Sequence, residues 1–588
     1  MVDSVLRRLQ RLFGTPTGAA FLSFLFPGLG QAAAGKPSRG AIVAIPGLAV
    51  VGAFLLILLF NRRSILGAAV SDQWLVSLLL ADFVALVYHA WAVVDSYLLA
   101  SRASAVPTRR RRTPKKASAF VGVGVVVVAT MAVHGAFASL GLTVQHSLTC
   151  ITSETGECMD FGATVAPGQT IAMTTDDPGD VNVDSSESPG GSGESAAPTP
   201  SYDPNATFDP SALPSFDSPP DARNWAADGQ LNVLMVGIDS GGSGAGRASG
   251  LRPDTMIVLH IDLATGRAAM IGIPRNTQCV PLPQPIAAHY AKNSNGCPGY
   301  TYPNMLNWLA NDAGWNHPSW FPFYQGQGYE YTRAITATQV AIETLTGLTI
   351  DGFAVINLEG MVHVIDAVGG IDINVPKNLT AYDGPCGPKG TWAAQYRVCN
   401  LDPPHPGYPV GGPKVVQQMV AAAATSDGKQ KLTYQSSNGY DIGFVVYAGQ
   451  QHMDGNWALA YARTRIYTTD YNRMLRQQLV LKALRQTLNP CALLPQIPGL
   501  ISDLGSTFWT NLPFRDDTVT WVGLAQHILG QNVKTITLDP TTLGNAKSTF
   551  INPTTWAKAK DIVAHSLDGV PPADSGGGGG NGGGGFTC

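Results

Sequence analysis

Between positions 461 and 485, Arg463, Arg465, Arg473, Arg476, Lys482 and Arg485 face a single acid, Asp470. Bringing such a set together is unfavourable, because repulsion and desolvation cost on the order of several kcal/mol per ion. A bound anion reverses the sign, since each charge-assisted hydrogen bond contributes about 1.5–3 kcal/mol. The planar fork of arginine suits phosphate oxygens. In an extended segment Arg463 and Arg465 point the same way, because side chains alternate. On a helix Arg473, Arg476 and Gln477 share a face through i+3 and i+4 spacing.

Further candidates lie earlier, at the ends of strand-like runs. Asp239 closes one run, Arg252-Pro253-Asp254-Thr255 opens the next, and Ile273-Pro274-Arg275-Asn276 ends a third. Asp239 and Asp254 are candidate Mg²⁺ ligands, because this hard cation prefers carboxylates and phosphate oxygens. Together these groups describe a pyrophosphate clamp. The plainer alternative is a solvated basic helix with ordinary surface ion pairs. No Walker loop, HExxH or GxSxG is present. Gly242, Gly244 and Gly246 follow a strand-like run, but Pro253 and a second run follow where a dinucleotide-binding helix should begin.

Alternating strands and helices must position these residues. Leu231–Asp239 is an apolar run suited to a buried strand. Thr255–Asp262 and Arg267–Ile273 form a hairpin through Ala264-Thr265-Gly266. Tyr331–Thr346 has helical spacing and ends at Gly347. Phe353–Asn357 is a strand, Glu359–Val368 a helix stopped by Gly369-Gly370, and Ile371–Val375 a strand. The pattern predicts a layered α/β domain with a mixed sheet. The stretches near 279–330 and 383–415 read as long loops. The apolar faces of the helices at 331–346 and 359–368 are core, or the lining of a lipid pocket.

Charged residues make up 13 % of the 588-residue chain, against about 25 % in an ordinary soluble domain. Apolar segments at about 41–60, 74–100 and 119–142 are long enough to span a bilayer. A shorter one at 18–34 is broken by Pro27-Gly28-Leu29-Gly30 and has basic residues on both flanks, so it reads as re-entrant, with a true span as the alternative. Arg102, Arg109, Arg110, Arg111, Arg112, Lys115 and Lys116 place the loop before the last span inside, and so everything after residue 142 outside. Arg62 and Arg63 run mildly against that orientation. A basic run between two apolar spans addresses a membrane face and excludes a nucleic-acid partner. Asp82 and His89, seven residues apart in one span, share a helix face; they are either functional or a polar contact between helices.

The expected organisation is a membrane region at 1–142, an extracytoplasmic element and flexible Ser/Pro/Gly/Asp-rich stalk at 143–228, a folded domain at 229–570, and a Gly-rich tail at 571–588. The cysteines at 150 and 158, 279 and 297, and 386 and 399 are local neighbours, with Cys491 and Cys588 left over. Such spacing fits disulfides outside the cytosol, with zinc ligation as the rival.

The ordered succession Asn232–Asp239, Arg252-Pro253-Asp254-Thr255, Ile273-Pro274-Arg275, Ala458–Arg465 and Asp470–Gln478 resembles the LytR–CpsA–Psr domain, over about Leu231 to Leu488. The resemblance implies an α/β/α sandwich with a mixed central sheet and an apolar pocket for a polyprenyl tail. It implies a membrane-bound phosphotransferase that moves a glycopolymer phosphate from a polyprenyl-pyrophosphate carrier to peptidoglycan. By the same implication Arg275, Arg463, Arg465, Arg473 and Gln477 hold the pyrophosphate and Arg252 supports them. Asp239 and Asp254 serve Mg²⁺, and Asp470 orients arginines or assists proton transfer. Arg476 joins the clamp from the helix-face spacing. Family members usually carry an acid after the Pro-Arg, where this sequence has Asn276. That departure keeps two other readings open: a pyrophosphatase, and a carrier-binding or regulatory protein without turnover.

Overall fold

The computed structural model describes residues 12–60, 72–104, 116–160, 213–216, 228–238, 251–376, 379–385, 441–446, 448–463, 470–488, 496–515, 521, 533–544 and 551–571. The chain divides into two units, Met1–His146 with Phe514–Gly523 and Cys588, and Ser147–Pro513 with Leu524–Thr587.

The first unit is helical: α1 Pro16–Leu25, α2 Leu29–Ala33, α3 Pro37–Phe60, α4 Asp72–Ser104 and α5 Lys116–Ile151, whose last residues count with the second unit. Thr15 caps α1 by accepting from the Gly18 N–H at 3.1 Å, and Pro16 sits in the first turn, where its missing N–H costs nothing. The helix stops at Phe26 because Pro27 follows. Gly28 then adopts φ +103°, and a Cβ there would lie 2.3 Å from the Gly40 carbonyl oxygen, so only glycine turns the chain. The segment expected to re-enter is therefore two short helices joined by this turn. Among the described residues, two helical stretches are long and apolar enough to cross a membrane, Trp74–Ala103 and Val121–Ile151. The segment expected at 41–60 lies in α3, whose apolar stretch is the shorter Pro37–Ala53.

The second unit carries β1 Gln230–Ile238, β2 Pro253–Asp262, β3 Ala268–Gly272, β4 Val280–Pro281, β5 Thr301–Tyr302, α6 Leu306–Leu309, α7 Glu330–Thr346, β6 Gly352–Asn357, α8 Leu358–Ala367, β7 Ile371–Val375, β8 Leu379–Pro385, β9 Asp441–Val446, β10 Gly449–Met453, α9 Gly455–Arg463, α10 Asp470–Thr487, α11 Ile497–Leu504, β11 Phe508–Thr510, β12 Val533–Thr537 and α12 Pro553–Ala564. Its central sheet has the order β11-β6-β1-β2-β3-β12. The β1–β2 and β2–β3 pairs are antiparallel, while β1–β6 and β3–β12 are parallel, so the sheet is mixed as expected.

The two faces follow from the period of two along each strand. Leu234, Val236 and Ile238 of β1, with Met256, Val258 and Ile271, pack with Ala334, Ile335, Ala341 and Ile342 of α7. Burial of these side chains holds the layers together: α7 supplies core, and its apolar face is consumed there. Gly272 belongs to the opposite face, where a Cβ would lie 2.8 Å from Met474 Cε and 2.7 Å from Gln478 Nε2, both on α10. Helices thus cover both sides of a mixed sheet. A second cluster joins Ile365 of α8, Ile371 and Ile373 of β7, Trp457 and Tyr461 of α9, and Val480 of α10.

Three expectations change. The 279–330 stretch is not a loop: it contributes Val280, Tyr302, Leu306, Leu309 and Phe321 to the main core and is closed by the Cys279–Cys297 disulfide. Its apolar residues lack a regular period, so they read as loop. Residues 461–463 are not extended: α9 runs through Arg463 because Trp457, Ala458, Tyr461 and Ala462 bury one helical face. The alternation argument for Arg463 and Arg465 therefore fails at its first member. Finally, the stretch expected to form a separate element before the stalk belongs to the domain's own packing. Beyond the Cys150–Cys158 disulfide, Trp509 Nε1 donates to the Ser153 carbonyl (2.7 Å), Thr332 Oγ1 to that of Glu154 (2.7 Å) and Asn357 Nδ2 to that of Asp160 (3.1 Å), while Met159 enters the main core. Most of the expected stalk, the Gly-rich tail, the loop at 386–415, the 242–246 glycines and the remaining four cysteines lie outside the described residues.

Candidate functional site

The site forms where β2 begins and β3 ends. Ile238, which precedes Asp239, pairs with Pro253, which precedes Asp254, across a register shift at the end of β1. Ile273 and Pro274 follow β3, and Arg275 is turned inward to 2 % exposure. Arg275 Nη1 meets Asp254 Oδ1 at 2.8 Å. From the other side of the chain, α10 delivers Arg473, whose Nη2 donates to the Asp254 carbonyl at 2.9 Å. Arg473 is 4 % exposed. One residue of β2 therefore fixes two arginines, one through its carboxylate and one through its backbone.

Two further groups arrive on α6. Asn307 is fully buried, receives backbone anchorage through its N–H to the Arg275 carbonyl (3.1 Å), and points its Nδ2 at Asp254 Oδ1 (3.4 Å). Trp308 lies under Arg252, with the guanidinium carbon 4.8 Å from the ring centroid, a cation–π arrangement. Neither residue was marked by the sequence. The Leu306/Leu309 spacing hints at a helix, but nothing local says that it is aimed at a strand end fifty residues away.

Arg476 is also buried. Its Nε donates to the Tyr461 carbonyl at 2.9 Å, and it lies 5.9 Å from the Tyr461 ring centroid, so it ties α10 to α9. Its neighbour Gln478 donates to the Ile536 carbonyl at 3.2 Å and ties α10 to β12. Gln477, between them, is half-buried, and its amide oxygen has no hydrogen-bond partner. Asp239, Arg465 and the side chains of Arg463 and Asp470 lie outside the described residues.

The electrostatics are lopsided. Burial pushes the Asp254 carboxyl up, but Arg275, Arg473 and Arg252 together outweigh it and hold the group well below the usual carboxylate range. Burial pulls Arg476 down to about 10; Tyr461 opposes that fall and nearby Arg473 adds to it. Three guanidinium groups, those of Arg275, Arg473 and Arg252, act on the Asp254 carboxylate, and Arg476 lies near enough to Arg473 to feel its charge. A buried cluster of guanidinium groups is suited to an anion with several oxygens.

Hard oxygen donors are present as well. The amide oxygens of Asn276, next in sequence to Arg275, and of Asn307, whose Nδ2 faces Asp254, are buried without hydrogen-bond partners. Carboxylate and amide oxygens are ligands that Mg²⁺ accepts. Among the described residues there is no cluster of three or more His, Cys, Asp or Glu side chains able to hold a metal ion. A cation here would therefore depend on Asp254, these amides and oxygens of a bound phosphate.

Comparison with known proteins bears on this arrangement. Among solved structures, the protein gbs0355 from Streptococcus agalactiae is similar at 17 % identity and a TM-score of 0.36, covering 60 % of this chain and 92 % of that one. TagV of B. subtilis follows at 18 % and 0.32, covering 58 % and 98 %. TagT of B. subtilis stands at 17 % and 0.31, covering 58 % and 92 %. No match was found among curated proteins. The LytR_cpsA_psr family model matches residues 201–563, which is more than half of the chain and takes in every strand and helix that builds the site. The chain belongs to the LytR_cpsA_psr family.

Proposed function

We propose that the α/β domain transfers a glycopolymer phosphate from a polyprenyl-pyrophosphate carrier to peptidoglycan, on the outer side of a membrane. The observation that carries this reading is the gathering of Arg252, Arg275 and Arg473 around the buried Asp254, within a domain of this family. A pyrophosphate offers such a cluster several anionic oxygens. The membrane region would be multi-pass, with α4 and α5 as spans, α3 as a further span and α1–α2 re-entrant. The basic residues between 102 and 116 then keep their loop inside and the domain outside.

In the reaction, a sugar hydroxyl of the acceptor attacks the phosphorus that bears the glycan. The new P–O bond forms as the phosphoanhydride P–O bond breaks, and polyprenyl phosphate leaves. The hydroxyl proton passes to a nearby base or to the leaving phosphate. Such transfers depend on positioning and on neutralising charge at the phosphoryl oxygens. Arg275, Arg473 and Arg252 take that role here, with Arg463, Arg465 and Gln477 as further donors. Asp254 is a poor proton acceptor because its carboxyl is held ionised; it fixes Arg275 instead. Asp470 is the remaining candidate for proton transfer. Mg²⁺, held by Asp254 with Asp239 and the Asn276 and Asn307 amide oxygens, would add charge neutralisation at the phosphates.

The test is product analysis with the full-length protein, a polyprenyl-pyrophosphate glycan, peptidoglycan and Mg²⁺. Glycan covalently linked to wall fragments is expected. Free phosphoglycan as the sole product would replace transfer by hydrolysis. Asn276 favours one other reading, carrier binding without turnover, because an amide offers an oxygen but no charge where the family usually has an acid. Tight carrier binding with no product of either kind would establish it.

A further inference from the structure

The helical unit contains a hydrogen-bonded chain that starts from a broken helix. Pro27 has no N–H, so the Ser23 carbonyl four residues earlier lacks its helical donor, and the same break frees the carbonyl of Phe24. His89 Nε2 lies 3.0 Å from each of these oxygens. A carbonyl only accepts, so Nε2 must carry a proton. On the other side of the ring, His89 Nδ1 is 3.2 Å from His134 Nε2, and His134 Nδ1 is 2.7 Å from Asp82 Oδ1.

A neutral imidazole has one donor and one acceptor nitrogen, and a carboxylate only accepts. With Asp82 ionised and both rings neutral, His89 spends its proton on the carbonyls. His134 then has a single N–H for two contacts, and one contact is left with two acceptors and no proton. One additional proton completes every link. It can sit on Asp82, on His134 or on His89, and each placement makes the chain electrically neutral overall. Neutrality is what an apolar surrounding demands of buried ionisable groups.

We propose that Asp82, His134 and His89 form a proton-binding site among α1, α4 and α5, which takes up one exchangeable proton. This rests on the reading of these helices as membrane-embedded. The proton can move within the site: the His134 Nε2–H bond breaks as a His89 Nδ1–H bond forms, and the total charge stays zero. It goes no further along the chain, because the Ser23 and Phe24 carbonyls cannot pass a proton on. The site is a store rather than a conduit. Removing the proton leaves a net charge of −1 and one of the two His134 contacts without a hydrogen.

Other charged groups on the packing helices do not take over this role. Helices α1 and α2 carry no ionisable side chain. Asp95 of α4 is held by Arg39 of α3 at 2.6 Å and by Gln31 of α2 at 3.2 Å. Tyr88 gives its hydroxyl to the Val43 carbonyl. Tyr97 of α4 lies in a cluster with Ala20 and Val93. Asp72, Arg102, Lys116 and His146 lie toward helix ends.

The test uses the full chain in lipid nanodiscs at pH 8, well above the value of about 6.5 at which a free imidazole loses its charge. Nitrogen-15 histidine spectra read an imidazolium, and infrared spectra read a protonated carboxyl. One of the two signals is expected in the native protein. Asp82→Asn should abolish it, and Asp82→Glu should preserve it, which separates proton binding from misfolding. Native protein with neither signal would overturn the proposal, as would a signal that survives Asp82→Asn. An alkaline carbonate wash of membranes tests the underlying reading separately. Release of the chain by that wash would overturn the membrane placement; retention without a bound proton would overturn the site alone.

Discussion

The two units bury ionisable groups in opposite ways. In the helical unit two pairs meet one to one: Arg39 with Asp95 at 2.6 Å, and His134 with Asp82 at 2.7 Å. In the α/β domain Arg252, Arg275 and Arg473 gather around the single carboxylate of Asp254. Balanced pairs stabilise the structure that holds them, because removing one partner leaves the other uncompensated. A cluster of like charges carries internal repulsion, which a bound anion relieves. That contrast locates the functional site better than any individual arginine does.

Substitutions can test the contrast. The largest expected effect is Arg473→Met. It removes one charge of the cluster while keeping bulk, so transfer should fall by about 100-fold or more, in line with two lost charge-assisted bonds. The melting temperature should not fall in proportion. A large loss of stability with activity per folded molecule intact would break the contrast.

Glu343 offers a third arrangement, a carboxyl buried with no cation. Burial raises it to about 7, although the Ile350 N–H donates to it at 2.8 Å. Because the folded form holds the proton more tightly than the unfolded chain, the associated stability is complete below about pH 4.5 and is lost as pH rises through 7. Glu343→Gln should therefore gain on the native protein between pH 5 and pH 8, by about 1–3 kcal/mol at the upper end. Thermal melts across that range measure it, and a constant difference would contradict the account.

Asp95→Asn unbalances the helical unit. Arg39 is half-exposed, so the loss should be modest, about 1 kcal/mol, and salt should reduce it. Denaturation in nanodiscs at low and high salt reads both features. The smallest effect is expected at Trp308→Leu, which removes the ring beneath Arg252. A cation–π contact contributes about 0.5–2 kcal/mol, so KM for the lipid donor should rise several-fold with little change in kcat. An equal fall in kcat would show that Trp308 does more than hold an arginine.

Much of this was legible without coordinates. The strands from Gln230 to Gly272, the hairpin at 264–266, and the helix closed by Gly347 at φ +75° all follow from local patterning. So did the charge imbalance of 461–485, since composition does not depend on folding. The helical state of Arg463 was not legible, because the burial of Trp457 and Tyr461 against β7 and α10 decides it. Nor were the roles of Asn307 and Trp308, which lie in a stretch without period.

The sequence by itself determined the elements, the membrane-like composition of the first unit and the sign of the charge to be neutralised. These depend on residue types and short spacings, which the chain carries before it folds. The tertiary structure alone decided which charges meet. Arg473 reaches Asp254 across 219 positions, and Asp82 reaches His134 across 52. Such contacts are set by the packing of whole layers and helices, and whether a buried charge is balanced or left over depends on all the groups around it at once.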